Sequence, residues 1–297
     1  MIALTAILFF QIAPGTGQPP PPELVEKLTE QADVFSYLAP RVIGQEILYH
    51  KGRRNPPRFR PRIGKAALEP PKPRYIEREI VSEYGFAPLG EPGGILREFR
   101  LVTKVDGRTV KERVKARQTL AVNMTSEDDR LRKRLLEDFE KHGQIGAVTD
   151  VGQMIQLFRR RNLGTIELTL QGTERIGADE VIRLNYRTKG EAADVFEGRE
   201  LMRLPLRGEL WLRSSDGVPL RISFLIETAV DKQKVNHAGS VEYFASAHGL
   251  ALPAVVRYEK RMGEDILVTN ETRYSEYKMF KVQAEIKFTP EETPKPQ

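Results

Sequence analysis

Residues 218–227 read VPLRISFLIE, and this alternation decides the fold. Val218, Leu220, Ile222, Phe224 and Ile226 share one face, with Pro219, Arg221, Ser223, Leu225 and Glu227 on the other. Side chains two apart point to the same side of a strand, so the stretch reads as a strand with one buried face. Residues 207–213 precede it across the turn sequence Ser214-Ser215-Asp216-Gly217, which makes the two a hairpin. The same short alternating stretches, each closed by a turn, recur from about residue 165 to 277 with no helix-period run between them. They cover 164–175, the strand carrying Ile182, Leu184 and Tyr186, then 234–245, 252–262 and 266–278, while residues 189–206 read as irregular. An antiparallel meander of this length suits wrapping an apolar body and by itself supplies no chemistry.

Toward the N-terminus the pattern mixes. Residues 23–38 place Leu24, Leu28, Ala32, Phe35 and Leu38 on one side at three- and four-residue spacings, a helix ended by Pro40. Residues 43–49 and 75–86 are strand-like. Residues 95–105 and 108–118 flank Asp106-Gly107, a turn pair that favours hairpins. Ser126 is the expected N-cap of a helix over 126–142, whose stripe is Leu131, Leu135, Leu136 and Phe139, with Gly143 as its stop. A second apolar segment, 148–158, runs into Arg159-Arg160-Arg161, read as cations complementing a helix end. The fold class expected is α+β, mainly antiparallel β, a curved open sheet with a few packed helices.

The chain of 297 residues is long enough for one large domain, and 40% hydrophobic with 30% charged residues is a globular balance. Residues 1–22 carry no charge, and the apolar run over 2–13 is too short for a bilayer core, which needs roughly 20 residues. It fits the core of a signal peptide over 1–17, although no Lys or Arg precedes it; a buried N-terminal strand is the alternative. The expected organisation is therefore a signal peptide, one β domain over 18–288, and a polar, proline-rich disordered tail over 289–297. A periplasmic or secreted location follows. There are no cysteines, which excludes disulfides, thiolate metal sites and cysteine nucleophiles.

Residues 51–74 (KGRRNPPRFRPRIGKAALEPPKPR) hold nine basic residues, one acid and six prolines, so a helix or an inner strand is not expected there. They read as a solvated loop, or as an anionic headgroup contact through Arg53, Arg54, Arg58, Arg60 and Arg62 that brings the protein to a membrane surface. Phe59 is the one aromatic in this run, so stacking platforms for nucleic acid are absent and none is expected as a partner.

A catalytic set is not legible. His50, His142, His237 and His248 form no metal-binding spacing, and neither a nucleophile elbow nor a phosphate loop is present around Gly90, Gly93 and Gly94. His237 and His248 are expected at exposed turns. Glu77 and Glu79 share a strand face, but Arg74 and Arg78 beside them point to charge pairing rather than to a catalytic carboxylate pair. No metal or cofactor is expected, and the protein reads as non-enzymatic. Trp211 points away from Leu210 and Leu212, so a helix is expected to cover one of the two faces, with a ligand-lining Trp as the alternative.

The segment GELWLRSSDGVPLRISFLIET and the following VEYFASAHGLALPAVVRYEKRMG resemble the hairpin and the "strand, x-Gly-Leu-x-Leu-Pro, strand" step of the LolA/LolB-like superfamily. The resemblance covers residues 164–281 in sequence and 23–158 in element order. It implies an incomplete barrel curled round a hydrophobic cavity, with helices as a lid, in exported bacterial proteins that carry lipoproteins, sense envelope stress or bind lipids. On that footing the expected ligand is a lipid or acylated molecule held against Ile182, Leu184, Tyr186, Leu210, Leu212, Leu220, Ile222, Phe224 and Ile226. The alternative is a structural or interaction protein of the cell envelope, its concave face filled by residues 131–139 and 153–158. The sequence names no protein partner.

Overall fold

The structure, a computed structural model, describes residues 17–54, 73–90, 95–142, 147–190, 193–230 and 233–280. The proposed signal segment up to residue 16, Arg58, Arg60, Arg62 and the tail 289–297 lie outside the described residues.

Helix α1 (Pro22–Leu38) leads into β1 (Val42–Arg54), β2 (Arg74–Leu89), β3 (Ile95–Val105) and the short β4 (Arg108–Thr109). Helices α2 (Arg113–Thr125) and α3 (Asp129–Glu140) follow, then β5 (Val148–Thr149) and two 3₁₀ segments, Val151–Phe158 and Arg160–Thr165. The remaining strands are β6 (Ile166–Ile176), β7 (Asp179–Thr188), β8 (Ala193–Glu197), β9 (Glu200–Leu204) and β10 (Arg207–Arg213). The series ends with β11 (Pro219–Val230), β12 (Gln233–Ala245), β13 (Ala251–Met262) and β14 (Asp265–Met279).

Eleven strands form one antiparallel sheet in the order β4-β3-β2-β1-β14-β13-β12-β11-β10-β7-β6, and β5, β8 and β9 form a second. The large sheet is open, since β4 and β6 at its two ends do not pair. The meander read from the C-terminal half is present, and β1 joins it by pairing with β14, Val42 opposite Met279 and Gly52 opposite Val268.

Four sequence expectations change. The basic run does not open as a loop at Lys51: Lys51–Arg54 continue β1 as an inner strand, Lys51 lying opposite Thr269 of β14 and Glu77 of β2, and the prolines begin only beyond it. Residues 108–118 are not a full return strand: pairing stops at Thr109, and Glu112 caps α2 by accepting from the Val114 and Lys115 amides. The Asp106-Gly107 turn itself is present, both residues with left-handed backbone, φ 48° and 77°. Ser126 closes α2 rather than opening α3, whose N-cap is Asp128, accepting from the Arg130 amide at 2.9 Å. Residues 189–206 are not irregular throughout, because β8 and β9 pair from Ala193 opposite Leu204 to Glu197 opposite Glu200. The missed α2 has a physical reason: its buried side is only Ala116, Leu120 and Met124, too narrow to announce a helix.

The period-two rule separates two layers of core. Tyr84, Phe86 and Leu96 face the main core with α1, while Ala87, Phe99 and Leu101 face the opposite way against Ala116, Leu120, Met124 and Leu135 of α2 and α3. Gly239 on β12 allows its neighbours to close: a Cβ there would stand 2.6 Å from the Phe224 ring and 2.7 Å from the Arg257 carbonyl. Gly239→Ala is expected to cost about 1–3 kcal/mol through overpacking, read as a lower urea midpoint.

Candidate functional site

The inner face of the sheet is the place to look, since that is where the apolar side chains converge. Leu184, Tyr186, Leu210, Leu212, Ile222, Phe224 and Ile226 are all buried there in one cluster, with Ile182 half-buried against it. Leu220 stands apart. The β10–β11 register shifts between Trp211 and Leu212, which sets Leu212 opposite Pro219 and leaves Leu220 half-buried outside that cluster. Trp211 lies opposite Arg183 and Arg221, with the Arg221 guanidinium 5.2 Å from its ring centre.

The same cluster contains Leu24, Leu28 and Phe35 of α1 together with Val151, Ile155 and Phe158. Phe158 meets the Tyr186 ring edge to face at 5.2 Å, and Tyr186 donates to the Ser223 carbonyl at 2.8 Å. The face is thus covered by α1 and by Val151–Phe158. The part expected of residues 131–139 is different: Leu135 lies behind the sheet, and Phe139 meets Leu48, Ile80 and Val102. Eight residues is long for a 3₁₀ run, which ordinarily extends for three or four.

A cleft of about 140 Å³ remains between this segment, β11 and the small sheet. Of the nine expected lining residues it takes Phe224 and Ile226; the rest of its wall includes Leu96, Met154, Leu157, Ile166, Phe196 and Leu206. Its polar groups include Asp150, Gln153, Gln156, Arg161, Thr188 and Asp194. Within it, Gln156 Nε2 and Gln153 Oε1 are buried without a hydrogen-bond partner. Sequence reading missed most of this wall because the strands over 193–204 are only five residues each, too short to show a period. The available signal was the apolar run 148–158, too short to assign to a helix or a strand.

A second arrangement was not anticipated. Glu46, Glu98, Arg97, Arg100 and Asp150 are all buried together. Arg100 reaches Glu46 Oε2 at 2.8 Å and Glu98 Oε2 at 2.7 Å, and stands 3.8 Å from Asp150 Oδ1. Asp150 is also paired with Arg97. Rings enclose the guanidinium, Tyr84 at 5.3 Å and Phe139 at 5.1 Å. Glu98 Oε1 accepts from the Gln153 amide at 2.9 Å, and Tyr243 Oη donates to the Gly152 carbonyl at 2.9 Å, so the cluster holds the covering segment in place. Burial pushes the Glu98 carboxyl up to about 7, with Asp150 and Glu46 adding to the rise and Arg100 opposing it. A cavity of about 240 Å³ borders Glu98, Arg100 and Asp150. The sequence did hold a sign of this: Leu96, Glu98, Arg100 and Val102 share one face of β3, two charges between two apolar residues.

The histidines do not converge. His50 donates to Asn270 at 2.7 Å, His237 is hydrogen-bonded to Tyr258 at 2.9 Å, and His248 donates to the Tyr277 carbonyl at 3.3 Å. His237 is buried in β12 rather than exposed at a turn, and burial lowers its pKa to about 4. Glu77 pairs with Lys51, and the Glu79 amide donates to Asp106. Among the described residues no group of three metal-ligating side chains occurs, and no helix is long and apolar enough to cross a membrane.

No family model matches the chain, and no curated protein matches it. Two solved structures are similar to it. One is a DUF1329 family protein from Desulfovibrio piger ATCC 29098, at 11% identity over 92% of this chain and 96% of that one, TM-score 0.35. The other is a LolA superfamily protein from Nitrosomonas europaea, at 12% identity over 89% of this chain and 97% of that one, TM-score 0.31.

Proposed function

We propose that this protein is an exported, non-enzymatic binding protein of the cell envelope whose ligand is a lipid or another apolar chain. In this reading Val151–Phe158 occupies the ligand's place when none is bound. One observation carries the proposal: an eight-residue 3₁₀ segment, rather than a strand or a full helix, covers an otherwise continuous apolar face, and a cleft opens beside it at Phe224 and Ile226. Binding would draw on apolar area removed from water, at about 25 cal/mol per Å², so no special residue type is required along the wall. The ligand would gain that area by displacing Met154, Leu157 and Phe158.

Native mass spectrometry with lipid extraction, on protein purified from a bacterial periplasm, tests this. Co-purifying lipid or acylated peptide is the expected result. A clean unliganded mass under gentle conditions would favour the second reading, an envelope interaction protein with a self-filled face; the complete burial of Phe35, Ile155 and Phe158 against Leu184 and Leu210 supports that alternative.

The basic run is proposed as a membrane-surface contact. Arg53 is engaged by Asp265 at 2.6 Å, so the contact would rest on Arg54 and the arginines beyond it. Charge reversal at Arg58, Arg60 and Arg62 is expected to weaken binding to anionic vesicles, measured by co-sedimentation at two salt concentrations. Unchanged binding would remove the headgroup role.

A further inference from the structure

We infer that the cleft beside Val151–Phe158 ends in a cation site at Arg161, and that its ligand is a single-chain amphiphile with a carboxylate head. This rests on the proposal that the cleft takes an apolar chain, and it adds which chain.

The arginine triplet divides by role. Arg159 pairs with Asp33 of α1 at 3.3 Å and so ties the two covering elements together. Arg160 and Arg161 are exposed and have no ion-pair partner among the described residues, yet Arg161 lines the cleft. Their segment, Arg160–Thr165, directly follows the covering one. Lys189, next to Thr188 of the cleft wall, donates to the Gly164 carbonyl at 3.1 Å, which puts a third cation on the same rim. The acids nearby are already engaged: Asp150 of the cleft wall by Arg97, Asp194 by Arg203 at 3.3 Å, and Glu167 by Arg187 at 2.5 Å. The rim therefore carries excess positive charge at the mouth of an apolar space.

Hydrogen-bonding capacity points the same way. Arg161 offers only donors, and Gln156 Nε2 is a buried donor on the cleft wall without an acceptor. An acceptor-only head suits Arg161 and Gln156 Nε2, leaving the Gln153 Oε1 acceptor unserved, and a planar carboxylate matches the guanidinium fork. Ile166, Leu206, Phe224 and Ile226 supply apolar wall for the chain, and Arg161 is the one cation among the described residues that line the cleft. At about 30 Å³ per water-sized group, the present cleft of about 140 Å³ admits only the start of a chain. The remainder would require Met154 and Leu157 to move aside.

The test is calorimetric titration of delipidated full-length protein with dodecanoate, dodecanol and dodecylamine, each below its micellar concentration. Dodecanoate is expected to bind about tenfold or more tighter than dodecanol, as for a charge-assisted pair, with dodecylamine weakest. Arg161→Glu should abolish the preference for dodecanoate over dodecanol while leaving the urea midpoint unchanged, because the side chain is exposed. Equal affinity of dodecanoate and dodecanol in the native protein would overturn the cation site and leave the apolar-chain reading standing. A preference that survives Arg161→Glu would overturn the role of Arg161. No binding of any of the three would sink the chain reading, and this inference with it.

Discussion

Arg100→Met is expected to destabilise the protein by about 3–5 kcal/mol, the range for removing one partner of a buried ion network, seen as a large fall in the urea midpoint. The guanidinium serves Glu46 and Glu98 at once and stands close to Asp150. Without it two carboxyls remain buried side by side, and each must either stay protonated or draw water into the core. The effect should therefore depend on pH, being smaller at pH 5 than at pH 8. In the native protein the sign is the same. Glu98 titrates near 7 folded against 4.5 in its ordinary setting, so its contribution is whole below 4.5 and is lost as pH rises through 7. The slope approaches about 1.4 kcal/mol per pH unit between those values. Glu98→Gln, which cannot ionise, should flatten that limb in urea midpoints measured from pH 5 to 8. A slope unchanged in this variant would assign the titration to another group. On the acid side His237 acts oppositely: its lowered value makes its contribution whole above 6.5 and lost as pH falls toward 4.

Phe158→Ala should cost about 3–5 kcal/mol as a large-to-small change in a filled core. Phe158 is completely buried between α1 and the sheet and meets Tyr186 edge to face. The variant also separates the two functional readings. If residues 151–158 stand in for a ligand, shortening their largest side chain opens space on the face they cover, and an added apolar chain should restore stability with the logarithm of its concentration over its dissociation constant. If the face is a permanent core, the loss should be the same with or without such a chain. Thermal unfolding of the variant across a dodecanoate series reads this directly.

The strands were legible because their signal is local. Residues 218–227 alternate regardless of what lies across from them, and α1 shows its stripe at Leu24, Leu28 and Phe35. Where local patterning was thin, reading failed: α2 buries only three residues, and β8–β9 is a hairpin of five-residue strands. The bulge beside Leu220 was also hidden, since a register shift belongs to the pair of strands and not to either alone.

By itself, then, the amino-acid sequence determined an open antiparallel sheet with one apolar face, because period-two alternation needs no distant partner. It also determined that Glu98 and Arg100 would share a face with Leu96 and Val102. Only the tertiary structure decided what covers that face and what those charges meet. Gly152 and Tyr243 are 91 residues apart, and Glu98 and Gln153 are 55 apart. Which segment fills the concavity is set by contacts across such distances, where shape and hydrogen-bond geometry, rather than periodicity, select the partner.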